Sequence, residues 1–259
     1  MNSDDLNACA DLVRRADPER FLAAMAAPVA ARPVLFVLYA FNAEVARAPW
    51  VTAEPMIAEM RLQWWRDVLE EIRYGGPVRR HEVATPLAEI LDETATALLD
   101  DLILARRWDI YRDPFEDPAA FDAYLTQTAG HLMWSAARAL DAQPESKAAL
   151  LDMGYAQGLA GFLRAIPALE AAGRVPLVDG RADAVQALAH TGLTRLANSS
   201  AARRALPKSA RAALLPAWNS KAILQRAAHT PARVIQGALD ISPMRSRLLL
   251  MLRATRDRF

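Results

Sequence analysis

The stretch Glu145-Ser-Lys-Ala-Ala-Leu-Leu-Asp-Met-Gly-Tyr-Ala-Gln-Gly-Leu-Ala-Gly-Phe-Leu-Arg-Ala-Ile-Pro-Ala-Leu-Glu170 decides how this chain folds. It has helical spacing throughout and is apolar on more than one side. Such a helix belongs in the middle of a bundle, because every side must find apolar cover. Gly154, Gly158 and Gly161 fall at intervals of four and three, on one side of that helix. A glycine inside a helix costs about 1 kcal/mol relative to alanine, so something must approach this side closely. Close helix–helix packing is the ordinary reason. Tyr155 and Arg164 add polar reach to the same helix.

Outward from this segment, helical periodicity continues in both directions. Helices are predicted at 5–16, 18–31, 33–48, 53–73, 84–107, 117–140, 145–170, 181–190, 194–205, 208–227 and 243–258. The breaks carry Pro or Gly, among them Pro18, Pro49, Gly75-Gly76-Pro77, Pro144, Gly173, Gly192, Pro207 and Pro243. Asp117-Pro118 and Ser242-Pro243 have the cap-then-proline form of a helix start. No run of β-branched and aromatic residues alternates with polar ones as a strand would. No Ser-, Gly- or Pro-rich linker divides the 259 residues, and no repeat is present. The expectation is an all-α, single-domain helical bundle over 1–259, with a core of about 18–237 and a C-terminal helix of about 243–258.

Composition removes several classes of function. Apolar residues make up 53% and charged residues 24%, the mixture of a globule with a sizeable core rather than a disordered chain. One cysteine, Cys9, excludes disulfide frameworks, thiolate zinc sites and iron–sulfur clusters within a single chain. It reads as an incidental thiol. The four histidines (81, 131, 190, 229) lie far apart, so no helical zinc pair forms. No glycine loop of a nucleotide cradle is present. No run of about 18 uninterrupted apolar residues occurs, so no helix is expected to span a membrane. The acidic start Met1-Asn2-Ser3-Asp4-Asp5 has neither a secretory nor a transit pattern. An intracellular protein is expected.

Charge is unevenly spread. Residues 1–130 carry 13 Lys and Arg against 22 Asp and Glu; residues 131–259 carry 18 against 8. From Arg181 onward there are 14 basic residues against Asp183, Asp240 and Asp257. A basic surface can meet phosphate, anionic lipid or an acidic partner; equally, the basic half can pack beside the acidic half. The last helix sets Met244, Leu248, Leu249, Met251 and Leu252 among Arg245, Arg247, Arg253, Arg256 and Arg258. On helix statistics the leucine run closes the bundle and the arginines form its solvated rim. The competing reading is a membrane-facing side. Only 3 of the 31 basic residues are Lys, and Ala is abundant, which fits a GC-rich bacterial genome.

Several short segments then fall in a specific order: Arg20-Phe21, Pro28 through Arg32, Tyr39-Ala-Phe41, Arg61-Leu-Gln-Trp-Trp65, Tyr124 with Ala129-Gly130, Ala156 through Arg164, Gly173-Arg-Val-Pro-Leu177, Ala205-Leu-Pro207 and Ala210 through Leu214. In this order the chain resembles the squalene/phytoene synthase family. The resemblance implies an isoprenoid-synthase fold around a central cavity, where that family joins two prenyl diphosphates head to head. Its chemistry uses two aspartate-rich motifs whose carboxylates hold Mg²⁺ against the departing diphosphate. The aspartate positions of the first motif fall here on Ala46, Arg47 and Trp50, and the preceding arginine on Ala43. In the second motif Arg164 is kept, but Ala165 follows it, and residues 166–169 supply no carboxylate.

The altered first segment, with Leu98 through Tyr111 and Leu163-Arg-Ala-Ile-Pro167, is similar to one aspartate-lacking branch: the mitochondrial complex I assembly factor 6 and its bacterial relatives. That likeness implies a catalytically degenerate protein acting by binding, in respiratory complex I assembly or in holding a lipid or prenyl chain. It implies no cofactor; Mg²⁺ enters only if the chain is an active prenyltransferase. Arg164, Arg174, Arg61, Tyr155 and Gln157 are the candidate polar, anion-binding groups of the cavity. The expected partners are an isoprenoid or lipid ligand, complex I subunits and an anionic membrane surface, with no nucleic acid. The expected place is the bacterial cytoplasm, peripheral on the inner membrane.

Overall fold

The computed structural model describes residues 1–52 and 54–256. Among them there is no β-strand. The helices are α1 (Ser3–Ala16), α2 (Pro18–Ala26), α3 (Arg32–Arg47), α4 (Pro55–Arg73), α5 (Ala84–Ala88), α6 (Glu93–Ala105), α7 (Pro118–Leu125), α8 (His131–Arg138), α9 (Lys147–Ala171), α10 (Ala182–Asn198), α11 (Ser200–Ala205), α12 (Lys208–Arg211), α13 (Ser220–His229), α14 (Ala232–Ile235) and α15 (Pro243–Arg256). The predicted end of the last helix, with Arg258, lies outside the described residues.

Local chemistry explains the boundaries. Asp17, Asp92 and Asp117 accept backbone N–H bonds in the first turns of α2, α6 and α7, and Pro18 and Pro118 start the helices after them. Asp92 therefore splits the predicted 84–107 helix into α5 and α6. Pro216 and the 3-10 turn Ala212–Ala217 likewise divide 208–227 into α12 and α13. Gly192 is not a joint: it lies inside α10, where a Cβ would stand 2.8 Å from Leu159 Cδ2. Its lack of a side chain lets α10 seat against α9.

α9 runs through the centre, packed by α8, α10, α13 and the irregular turn between α7 and α8. That turn, Thr126–Gly130, is a π-helix, and the Thr128 hydroxyl donates to the Tyr124 carbonyl across 2.6 Å. The glycine side of α9 divides between two uses. A Cβ on Gly154 would lie 2.6 Å from Gly130 Cα, and one on Gly158 would lie 2.5 Å from Ala129 Cβ. Gly161 meets nothing within 4 Å. Close packing accounts for the first two glycines, and open space faces the third.

The segment Val29–Trp50, mainly α3, is apolar and long enough by composition to cross a bilayer. However, 67% of its most apolar window is buried against other helices, the behaviour of a core helix. Cys9 is buried as well, with its thiol on the Glu82 carbonyl; burial pushes that thiol up to about 12, so it is not a nucleophile at neutral pH.

Candidate functional site

A cavity of about 300 Å³ opens between α3, α7, α9 and the turn after α6. Ala46 and Trp50 come from the end of α3 and the 3-10 turn beyond it; Ala165 and Leu169 come from α9. Both pairs are four apart, so each pair shares one helical side. The resemblance sets Ala46, Trp50 and Ala165 of these at aspartate positions of its motifs. None is a carboxylate. Of the remaining altered positions, Ala43 is buried, and Arg47 is half-exposed and paired with the buried Glu44 at 3.1 Å.

Asp109 is the one acid among the lining residues. It sits with Arg106 in a 3-10 turn, whose i, i+3 geometry brings the two together. Arg106 Nη1 donates to Asp109 Oδ2 at 3.0 Å and to the Tyr124 hydroxyl at 2.9 Å; that hydroxyl donates to Asp109 Oδ1 at 2.9 Å. Both carboxylate oxygens are therefore engaged. Burial lowers the Arg106 guanidinium's affinity for its proton, but Tyr124 and Asp109 more than offset that and raise it. Burial also raises the Tyr124 phenol far above its ordinary range, so it remains protonated. Arg106 Nε is buried without an acceptor, a state that costs on the order of 1–3 kcal/mol.

The opposite polar group is Arg20, which donates to Asp17 at 2.6 Å and to Gln157 Oε1 at 3.4 Å. Asn42 and Thr128 complete the polar lining, and Leu125, Ala129 and Phe162 form an apolar wall. Phe162 belongs to an aromatic cluster with Trp108, Phe115, Phe121 and Tyr124, in which Trp108 and Phe115 stack at 4.1 Å. Trp50, 51% exposed, stands at the rim.

Of the five candidate polar groups, Gln157 lines the cavity and four do not. Arg164 points away from it, because Glu19 (2.9 Å) and Asp240 (2.7 Å) take its guanidinium. Arg174 lies behind the rim, stacked on Trp50 and Trp108 at 5.0 and 5.5 Å, and its Nη atoms donate to the carbonyls of Trp108, Asp109 and Tyr111. The turn that delivers it is set by Gly173 at φ +76°, where Arg174 N–H returns to the Leu169 carbonyl and closes α9. Tyr155 is fully buried elsewhere, donating to Asp122 under the Arg195 guanidinium at 3.8 Å. Arg61 is half-buried on α4, away from the lining. Two acids hold the Arg164 guanidinium and three carbonyls hold that of Arg174, which leaves neither of them on the cavity wall.

Sequence reasoning missed Asn42, Arg106, Asp109 and Thr128 as site residues. Asn42 follows directly on Tyr39-Ala-Phe41, and Arg106 and Asp109 lie inside Leu98 through Tyr111, where they counted as pattern rather than as lining. Thr128 lies just before Ala129-Gly130, and only the π-helical turn aims it inward.

Mg²⁺ demands near-octahedral oxygen coordination, with at least one or two carboxylates free to bind it. This lining offers a single carboxylate already held by a guanidinium and a phenol, so the residues do not fit the metal that the fold family implies. Among the described residues no three His, Cys, Asp or Glu side chains converge on a metal-sized space elsewhere.

Known proteins share this architecture. A dehydrosqualene synthase solved in complex with ligand superposes with a TM-score of 0.80 over 98% of this chain and 96% of its own, at 16% identity. A squalene synthase from Alicyclobacillus acidocaldarius gives 0.70 over 90% and 94%, at 18% identity. These likenesses show the fold. In sequence, the chain is 30% identical over 170 residues to the NADH dehydrogenase (ubiquinone) complex I, assembly factor 6 homolog of Drosophila melanogaster, covering 61% of this chain and 50% of that protein. It is 28% identical over 173 residues to the Homo sapiens assembly factor 6, covering 61% and 48%. The match thus spans about half the length of these relatives. The family model for squalene/phytoene synthase matches residues 13–179, with the cavity's helices α3 and α9 inside the matched region. The chain belongs to the squalene/phytoene synthase family.

Proposed function

We propose that this protein is a catalytically degenerate family member that acts by binding, with a lipid or isoprenoid in its cavity and a role in respiratory complex I assembly. One observation supports the first half: Ala46, Trp50 and Ala165, which the resemblance sets at aspartate positions, line the cavity without a carboxylate among them. Diphosphate departure without metal loses most of the charge stabilisation that the chemistry requires. The second half rests on likeness to the assembly factor 6 proteins. In calorimetric titration with Mg²⁺ and a non-hydrolysable prenyl diphosphate analogue, no metal-dependent heat is expected. A micromolar, Mg²⁺-dependent signal would overturn the reading and favour an active head-to-head prenyl diphosphate transferase.

We further propose a bacterial protein peripheral on the inner membrane, docked through α15. The leucine run closes the bundle only in part: Leu250 is buried and Leu249 half-buried. Met244 (83% exposed), Leu248 and Met251 (64%) form an unpartnered stripe at intervals of four and three. Exposed Arg245, Arg247 and nearby Arg233 flank it, in a region rich in basic charge. The halves do pair in places, as Arg195 does with Asp122 at 3.2 Å, but these three arginines make no ion pair with a described residue. Apolar side chains rimmed by arginine suit an anionic bilayer, each basic residue contributing about 1 kcal/mol near the surface. The protein should sediment with cardiolipin-rich vesicles at low salt and be released as salt rises. Leu248→Glu combined with Met251→Glu should abolish sedimentation. Wild-type protein remaining in the supernatant at low salt would sink direct docking.

A further inference from the structure

The two cationic groups of the cavity are already neutralised. Arg20 is matched by Asp17 and Arg106 by Asp109, each within 3.0 Å. The next guanidinium, Arg174, lies outside the lining, spent on three carbonyls. A multiply charged diphosphate entering without metal would find no free cation. It would lose its hydration and gain little in exchange.

What the cavity does offer is neutral polarity. Asn42 is 6% exposed, lines the cavity, and its amide makes no hydrogen bond to another described residue. An amide on a cavity wall with no protein partner is open to water or to a polar group of a ligand. It presents one donor and one acceptor group, the complement of a hydroxyl or a carbonyl. Gln157 lies on the same lining, where its Oε1 accepts from Arg20 at 3.4 Å. Leu125, Phe162 and Leu169 supply an apolar wall beyond these groups.

We infer that the cavity binds a lipid whose head is small, uncharged and oxygen-bearing, an alcohol or carbonyl on an apolar chain, in preference to a prenyl diphosphate. This rests on the metal-free reading of the cavity proposed above, and the two can fail separately. Equilibrium dialysis of the full chain with radiolabelled farnesol and farnesyl diphosphate, each with and without Mg²⁺, separates them. Farnesol should bind at least about tenfold more tightly than the diphosphate, a factor corresponding to loss of one well-placed polar partner. Asn42→Leu and Gln157→Leu, on different helices, should each weaken farnesol about tenfold, with folding checked by circular dichroism. If Asn42→Leu fails to fold, Gln157→Leu carries the test. Equal or tighter diphosphate binding without Mg²⁺ overturns the head-group inference. Diphosphate binding that requires Mg²⁺ overturns the non-catalytic reading as well. Binding of neither compound overturns the inference and leaves the non-catalytic reading standing.

Discussion

Arg106→Met should destabilise the protein by about 3–5 kcal/mol, the cost of leaving a buried charge without its partner. The stranded group is Asp109, whose side chain is 6% exposed and whose two oxygens are held by Arg106 and Tyr124. Methionine fills much of the arginine's volume, so lost packing contributes little and the charge dominates. Urea denaturation would read the loss as a lower midpoint with an unchanged slope. The double variant Arg106→Met with Asp109→Leu should recover most of it, because an apolar replacement of a whole buried pair is often nearly neutral. A single-variant cost below about 1 kcal/mol, the range of exposed pairs, would show that water reaches this pair freely.

Gly154→Val should cost about 3 kcal/mol or more, at the upper end of overpacking. A Cβ there would lie 2.6 Å from Gly130 Cα and 2.7 Å from the Ala129 carbonyl oxygen, both backbone atoms of the π-helical turn. Neither can swing aside as a side-chain tip could. Two turns along the same helix, Gly161 is the control. Nothing lies within 4 Å of its added Cβ, so Gly161→Ala should stabilise the fold by up to about 1 kcal/mol through helix propensity. Thermal unfolding of the two variants side by side would test the division of the glycine stripe into contact and opening. Equal effects of the same sign would refute it.

The class of fold was legible because nearly every segment had helical period and helix ends carried their own chemistry. Asp17-Pro18 and Asp117-Pro118 mark starts that the structure keeps, and the Ala-rich segment around Gly154 is the central helix. Legibility failed where a local signal competed with packing. Gly192 looked like punctuation, yet it exists to seat α10 on Leu159. Asp92 fell inside the predicted 84–107 helix, yet it caps α6 and pairs with Arg138. The cavity was half legible. The altered positions 46, 50 and 165 could be placed by pattern and do line it. The arginines could not, since a guanidinium's direction depends on which acid or carbonyl lies within reach. Arg164 and Arg174 found theirs in Glu19, Asp240 and three carbonyls, partners remote in sequence.

That same Arg164 has a consequence for the order in which the chain assembles. It joins Glu19 on α2 to Asp240 just before α15, across separations of 145 and 76 residues. At roughly 5–20 residues per second, the ribosome releases Asp240 some tens of seconds after Glu19. Arg164 arrives about two thirds of the way through that interval, and α15, against which α2 finally packs, follows only after its end. The cover of α2 stays incomplete until α15 arrives. Helices form within about a microsecond, so synthesis rather than local structure sets the pace of closure. The exposed interim is the time in which a chaperone would find this chain.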